Sequence, residues 1–120
     1  MFNIHIDAVG DTSIIECEGR LVRSDAAFAL RKAVIAQCDS RIIVLDLTGV
    51  TAIEGGGLGM LVFLQGWARD HDLKLKLFNP SSTVLERIER GSSLQTFDIA
   101  TLDELMALLD RGQGRQSIAA

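Results

Sequence analysis

Residues 42–70 read IIVLDLTGVTAIEGGGLGMLVFLQGWARD, and this stretch is the most informative part of the sequence for predicting the fold. Its first part, Ile42–Leu47, is almost continuously apolar and β-branched, which predicts a central strand covered on both faces. Its last part, Leu58–Asp70, carries apolar residues at helical spacing. Residues 48–57 lie between these parts and predict a turn region. The stretch therefore predicts a strand–loop–helix unit.

The segments before this unit predict a β-hairpin and a helix. Residues 2–7 and 13–21 alternate apolar and polar side chains, which is the period of a strand with one buried face. Asp11 falls in the turn between them, and His5 is predicted to point outward. Ser24 can cap a helix that runs to about Gln37.

The segments after the unit predict a second strand and helix. Residues 73–77 alternate leucine with lysine, so we expect a strand parallel to the central one, with Lys74 and Lys76 solvated. A short helix is predicted over Thr83–Arg90. Thr83 and Glu86 have the spacing of a capping box at its start.

The C-terminal part predicts a short extended piece and a last helix. The extended piece lies around residues 97–99, and Thr101 with Glu104 forms a second capping box. We expect a domain over residues 1–111 and a frayed tail over 112–120. The predicted fold class is α/β: a single domain with a mixed β-sheet, an N-terminal hairpin followed by βα units, and about four packed α-helices.

Composition excludes several classes of function. The 120 residues are 48% hydrophobic and 23% charged, as in one globular domain. The net charge is −4 and the basic residues are scattered, which argues against nucleic acid as a partner. Its longest apolar run, Leu58–Leu64, is far shorter than the ~20 residues of a membrane span. With no predicted membrane insertion and no signal-peptide pattern, we expect a cytoplasmic protein.

Metal and catalytic sites are not predicted. Cys17 and Cys38 are not in a CxxC arrangement, and the chain has two histidines, His5 and His71. We interpret both thiols as inert packing groups and expect neither metal nor cofactor. The candidate nucleophiles have no neighbouring histidine and resemble ordinary helix caps, so no catalytic residue is assigned and no enzyme is expected. They are Ser24, Ser81, Ser82, Ser92 and Ser93.

The glycines between the strand and the helix predict a binding site without a nucleotide. A phosphate-binding loop of the Walker type needs Lys and Ser or Thr after its last glycine, and a dinucleotide fingerprint needs glycine where Met60 stands. Glu54 would also repel phosphate. Because each glycine costs conformational entropy, close approach by another backbone best explains three in a row. Ligands of such sheets bind at the carboxyl ends of parallel strands, which indicates residues 48–60.

Four segments together resemble the sulfate transporter and anti-sigma-factor antagonist (STAS) domain over roughly residues 2–110. Each is weak alone, but they occur in the family's order. They are Gly19-Arg20-Leu21, Leu30-Arg31, residues 44–50 reading VLDLTGV, and Gly57-Leu58-Gly59.

The resemblance implies a partner-binding loop made of Glu54, Gly55, Gly56, Gly57, Leu58 and Gly59. In the family this loop typically reads Asp, Ser, Ser or Thr, Gly, Leu, Gly, and an anti-sigma kinase phosphorylates the second hydroxyl residue. Here Gly56 stands at the phosphoacceptor position and has no hydroxyl. A second departure is Val22, where the family often has Asp or Thr.

The resemblance implies a non-catalytic regulatory module that binds an anti-sigma factor or a related kinase-like protein. The alternative is a cytosolic STAS subunit of a membrane transporter complex. Thr48 and Thr51 are the hydroxyls nearest the loop, and a turn hydrogen bond is the favoured interpretation of Thr48. For Trp67, core packing is favoured over a binding contact.

Overall fold

The structure, a computed structural model, describes the backbone of residues 2–91 and 97–119 and the side chains of residues 2–90 and 97–111. Ser92 and Ser93 lie outside the described residues. The elements in chain order are β1 (Phe2–Val9), β2 (Thr12–Leu21), α1 (Ser24–Ile35), β3 (Ile42–Ile53), α2 (Gly56–Asp70), β4 (Lys74–Phe78), α3 (Ser82–Gly91), β5 (Asp98–Ala100) and α4 (Leu102–Ala119).

The strands form one sheet in the order β1-β2-β3-β4-β5, so β3 lies at its centre. β1 and β2 form the predicted antiparallel hairpin, and each later strand is parallel to its predecessor in the sheet. The predicted class, a mixed-sheet α/β domain with four helices, is confirmed. Parallel strands end at the same edge, which brings the ends of β2 and β3 together.

The central strand is longer than predicted, because β3 continues to Ile53 through residues expected to form a turn. Its pairing with β2 shifts register twice, between Glu16 and Glu18 and between Gly19 and Arg20. Such bulges keep the chain extended while breaking the alternation of buried and exposed side chains. The buried positions become Leu47, Val50 and Ile53, three residues apart, and this spacing hides a strand from a period-two search.

The main core lies between one face of the sheet and the helices α1, α2 and α3. Ile43, Leu45 and Leu47 alternate along β3 and join this core. Leu30 of α1 and Leu64 of α2 pack in the same cluster. This packing fixes the start of α2 relative to the end of β3.

The helix starts differ from the predicted caps in two cases out of three. Ser24 is the first residue of α1, and the preceding cap residue makes no side-chain hydrogen bond. At α3, the Val84 N–H donates to Ser81 Oγ at 3.2 Å, so Ser81 rather than Thr83 caps the helix. At α4 the capping box is confirmed: the Glu104 N–H donates to Thr101 Oγ1 and the Thr101 N–H donates to Glu104 Oε1, each at 3.1 Å.

Two further predictions are wrong. The side chain of Lys76 is only 13% exposed, because β5 aligns beside β4 and Asp98 Oδ2 lies 2.6 Å from Lys76 Nζ. Cys38 is exposed rather than packed, since it follows the end of α1. The α4 backbone is helical to Ala119, and the frayed tail over residues 112–120 stays a prediction.

Candidate functional site

The candidate site lies where β2 and β3 end side by side. Leu21 and Ile53 are paired at this edge of the sheet, and the Glu54 N–H donates to the Leu21 carbonyl oxygen at 3.3 Å. Glu54 and Gly55 form a two-residue connection to α2, which begins at Gly56. The six residues predicted to bind a partner thus form this connection and the first turn of α2.

Gly57 differs from its neighbours because it is buried against the chain itself. A Cβ atom at Gly57 would lie 2.0 Å from the carbonyl oxygen of Leu21, closer than atoms can approach. Gly57 is therefore buried, although it was predicted to be part of the partner-binding loop. The backbone that approaches it closely belongs to β2 of the same chain.

Gly55, Gly56 and Gly59 are exposed. Gly55 has φ of 50°, a conformation that favours glycine. A Cβ atom at Gly56 or Gly59 would have no other atom within 4 Å. Leu58, between them, is half-buried and packs against the core. The first turn of α2 therefore presents bare backbone outward while Gly57 and Leu58 hold it to the sheet.

Electrostatically, the start of α2 is open. No side chain caps it, and its first turn has no acidic residue. The N-terminus of a helix carries a partial positive charge from its unpaired N–H groups. Such an end suits an oxygen acceptor supplied by a partner.

Glu54 is held by a residue that sequence reasoning missed. Its side chain is 61% exposed, and its Oε1 lies 3.4 Å from Nη2 of Arg87 on α3. The Nε of Arg87 is buried and has no hydrogen-bond partner within the part of the chain that the structure describes. The two residues are 33 positions apart, and no local pattern could pair them. The pair connects the loop to α3.

Thr48 and Thr51 are exposed residues of β3, outside the glycine loop, as we call residues Glu54–Gly59. Thr48 Oγ1 donates to Asp46 Oδ1 at 2.6 Å and accepts from Asn79 Nδ2 at 3.1 Å. Thr51 Oγ1 donates to the Gly19 carbonyl oxygen at 3.3 Å. A hydrogen bond of Thr48 is confirmed, although it lies within a bulged strand rather than a turn.

Trp67 lies in the last turns of α2, away from the loop. It is partly buried, packs against the core and stacks on the ring of His71 with centroids 4.8 Å apart. Trp67 contacts the core as the favoured interpretation expects, but its partial exposure keeps the binding-contact alternative open. Neither residue contributes to the glycine loop.

Cys17 on β2 and His5 on β1 both lie outside the glycine loop. Burial raises the pKa of the Cys17 thiol to about 12, and the charge of Asp46 adds to this shift, so Cys17 is a packing thiol. His5, as predicted, is exposed, and it lies near Asp7 and Glu16 on the β1–β2 hairpin. Exposed acidic groups of this kind are common without a metal, and this cluster does not involve the loop.

Comparisons with known proteins agree with this architecture. No curated protein is significantly similar in sequence. The solved structure of the anti-sigma factor antagonist SpoIIAA in its unphosphorylated form is 18% identical, with a TM-score of 0.66 over 93% of this chain and 99% of that one. An anti-sigma factor antagonist from Mycobacterium paratuberculosis is 19% identical, with a TM-score of 0.69 over 91% and 94% of the two chains.

A third structure shows the same fold inside a longer chain. SLC26A9 is 18% identical with a TM-score of 0.65, and the match covers 94% of this chain but 21% of that one. In the chain described here, no helix within the described ranges has the length and hydropathy to cross a bilayer. At these identities, the three structures show a shared fold.

The family is shown by the sequence itself. The family model described as "STAS domain" matches residues 3–108, which is most of the chain. The four segments that carried the resemblance all fall inside this range. The chain belongs to the STAS domain family.

Proposed function

We propose that this chain is a non-catalytic regulatory module that binds an anti-sigma factor, or a related kinase-like protein, through Glu54–Gly59. The solved relatives named as anti-sigma factor antagonists support a role of this kind. Such a partner would make the module cytoplasmic.

The observation that carries this proposal is the bare backbone at the start of α2. Glycine inside a helix costs about 1 kcal/mol relative to alanine. Internal packing explains this cost at Gly57, but a side chain at Gly56 or Gly59 would meet nothing. Gly66, farther along α2, is equally open, so the proposal rests on the two open glycines lying together at the uncapped start of the helix, where a partner can approach the backbone closely.

The proposal includes the loss of the phosphorylation switch. Gly56 occupies the position of the family's hydroxyl acceptor and has no oxygen to receive a phosphoryl group. In the family, the added phosphate disrupts binding by charge repulsion and desolvation. Binding by this chain is therefore constitutive at the loop.

Mass spectrometry with a kinase-type anti-sigma factor encoded beside the gene, and ATP, tests this part. We expect no phosphate on the wild-type loop and one phosphate on Gly56→Ser, since a serine there fits without contact and lies at a helix N-terminus. Gly59→Ser is the matched control, because it adds the same hydroxyl in open space one turn later. Phosphate on Thr48 or Thr51 of the wild type would contradict the loss of the switch.

A transporter-associated role is the second candidate. The match to SLC26A9 supports it, because this fold also occurs there as part of a much longer chain. Here the module would bind a separate transporter chain. Titrating the chain with an anti-sigma factor and, separately, with a transporter subunit distinguishes the two roles. Only the true partner should bind through Gly59.

A further inference from the structure

A groove of about 700 Å³ lies at the same edge of the sheet as the glycine loop. It is formed by the start of β1, the end of β2 and the first turns of α1. The residues lining it are Phe2, Arg20, Val22, Arg23, Asp25, Ala26 and Ala29.

The groove and the loop form one continuous surface. Val22 lines the groove, and its carbonyl oxygen would be 3.9 Å from a Cβ atom at Gly55. Leu21, the preceding residue, packs against Gly57. A partner seated on the loop is therefore adjacent to the groove.

The charges of the groove favour an anionic occupant. Arg20 and Arg23 are exposed, and neither forms an ion pair with any residue that the structure describes. Asp25 opposes them in the lining, while Glu54 on the adjacent loop is engaged by Arg87. Two free guanidinium groups in a chain of net charge −4 make a local cationic patch.

The rest of the lining indicates the kind of anion. Phe2, Val22, Ala26 and Ala29, which line the groove together with the charged groups, are apolar. A segment that alternates acidic and apolar side chains can match both parts, whereas a nucleic acid backbone would leave the apolar part unmatched.

We infer that the groove binds an acidic segment of the partner that docks on Glu54–Gly59. The inference rests on the proposed function, for which it names the chemistry of the partner. The arginines select the partner by charge, and the glycines provide the contact with its backbone.

Nuclear magnetic resonance titration of the ¹⁵N-labelled chain tests this inference with a capped hexapeptide of alternating glutamate and leucine. We expect shifts at Arg20 and at residues 22–26 that weaken with salt, and about tenfold weaker binding to Arg20→Glu/Arg23→Glu. Arg41→Glu/Lys74→Glu is the matched control: the same charge change is placed at two exposed residues at the opposite edge of the sheet.

Several outcomes would overturn the inference. They are equal binding by the double variant, equal binding of a lysine–leucine hexapeptide, and preferential binding of inorganic phosphate or duplex DNA at the same residues. A melting curve for each variant confirms that it is folded. The peptide assay needs no anti-sigma factor. If the peptide binds but an anti-sigma factor does not, the proposed function is contradicted, while binding of an acidic segment in the groove is supported.

Discussion

The starts of α2 and α4 differ in how their unpaired backbone N–H groups are satisfied. At α4, Thr101 and Glu104 satisfy N–H groups reciprocally, and Asp103 and Glu104 add negative charge to the first turn. At α2, glycine residues precede and begin the helix, with neither a capping side chain nor an acidic residue in the first turn. One start is stabilised within the chain, and the other is left for something outside it.

The comparison separates two uses of glycine within a single turn. Gly57 is required by the fold, because Leu21 occupies the space of its missing side chain. Gly56 and Gly59 have open space around them. Substitutions at these positions should therefore affect different properties of the molecule.

The largest expected effect is that of Gly57→Ala. The new methyl would overlap the Leu21 carbonyl group, and either the end of β2 or the start of α2 must move. We expect the free energy of unfolding in urea to fall by about 3 kcal/mol or more. Gly56→Ala is the control and should not be destabilised. An unchanged unfolding midpoint for Gly57→Ala would remove the packing role assigned to this glycine.

Loss of the α4 cap should have a moderate effect. Thr101→Ala removes the acceptor for the Glu104 N–H and should lower the free energy of unfolding by about 1 kcal/mol. Thr101→Ser keeps the hydroxyl oxygen and should restore most of the loss. If Ala and Ser behave alike in denaturant titrations, the capping box does not stabilise α4.

Alanine in the open positions of α2 should stabilise the chain. Gly59→Ala and Gly66→Ala each add a methyl that meets no atom within 4 Å. We expect each to raise the free energy of unfolding by roughly 0.5–1 kcal/mol through helix propensity alone. Thermal melts check this, and a drop in the melting temperature would indicate that these glycines have an internal role.

The smallest expected effect is that of the Glu54–Arg87 ion pair, which connects the glycine loop to α3. Exposed ion pairs contribute about 0–1 kcal/mol, and Met can fill the space of the Arg87 stem. Arg87→Met should therefore change the free energy of unfolding by less than about 0.5 kcal/mol. A double-mutant cycle with Glu54→Gln measures the coupling energy of this pair directly. A coupling energy larger than the effect of Thr101→Ala would mean that the ion pair stabilises the start of α2 more than the capping box stabilises α4.

Features with local causes could be predicted from the sequence. The central position of Ile42–Leu47, the hairpin and the Thr101–Glu104 box depend on alternation, apolar runs or i to i+3 spacing. Of the candidate site, the place of residues 54–59 at the carboxyl end of β3 follows from the strand–loop–helix order.

Features with tertiary causes could not be predicted. The bulges that extend β3 depend on its pairing with β2, and the burial of Lys76 depends on β5 returning beside β4. The different roles of Gly56 and Gly57 depend on where Leu21 lies, 36 residues before Gly57. Arg87 reaches Glu54 because α3 packs against β3.

Calorimetric titration of a kinase-type anti-sigma factor with Gly59→Arg is the sharpest test of docking at the start of α2, because this substitution blocks the open backbone without a clash inside the chain. Gly66→Arg is the matched control, with the same side chain in open space roughly 10 Å farther along the helix. We predict that Gly59→Arg binds at least about tenfold more weakly while Gly66→Arg binds as the wild type does, with both variants melting at or above the wild-type temperature. Wild-type affinity of Gly59→Arg would contradict docking at the start of α2.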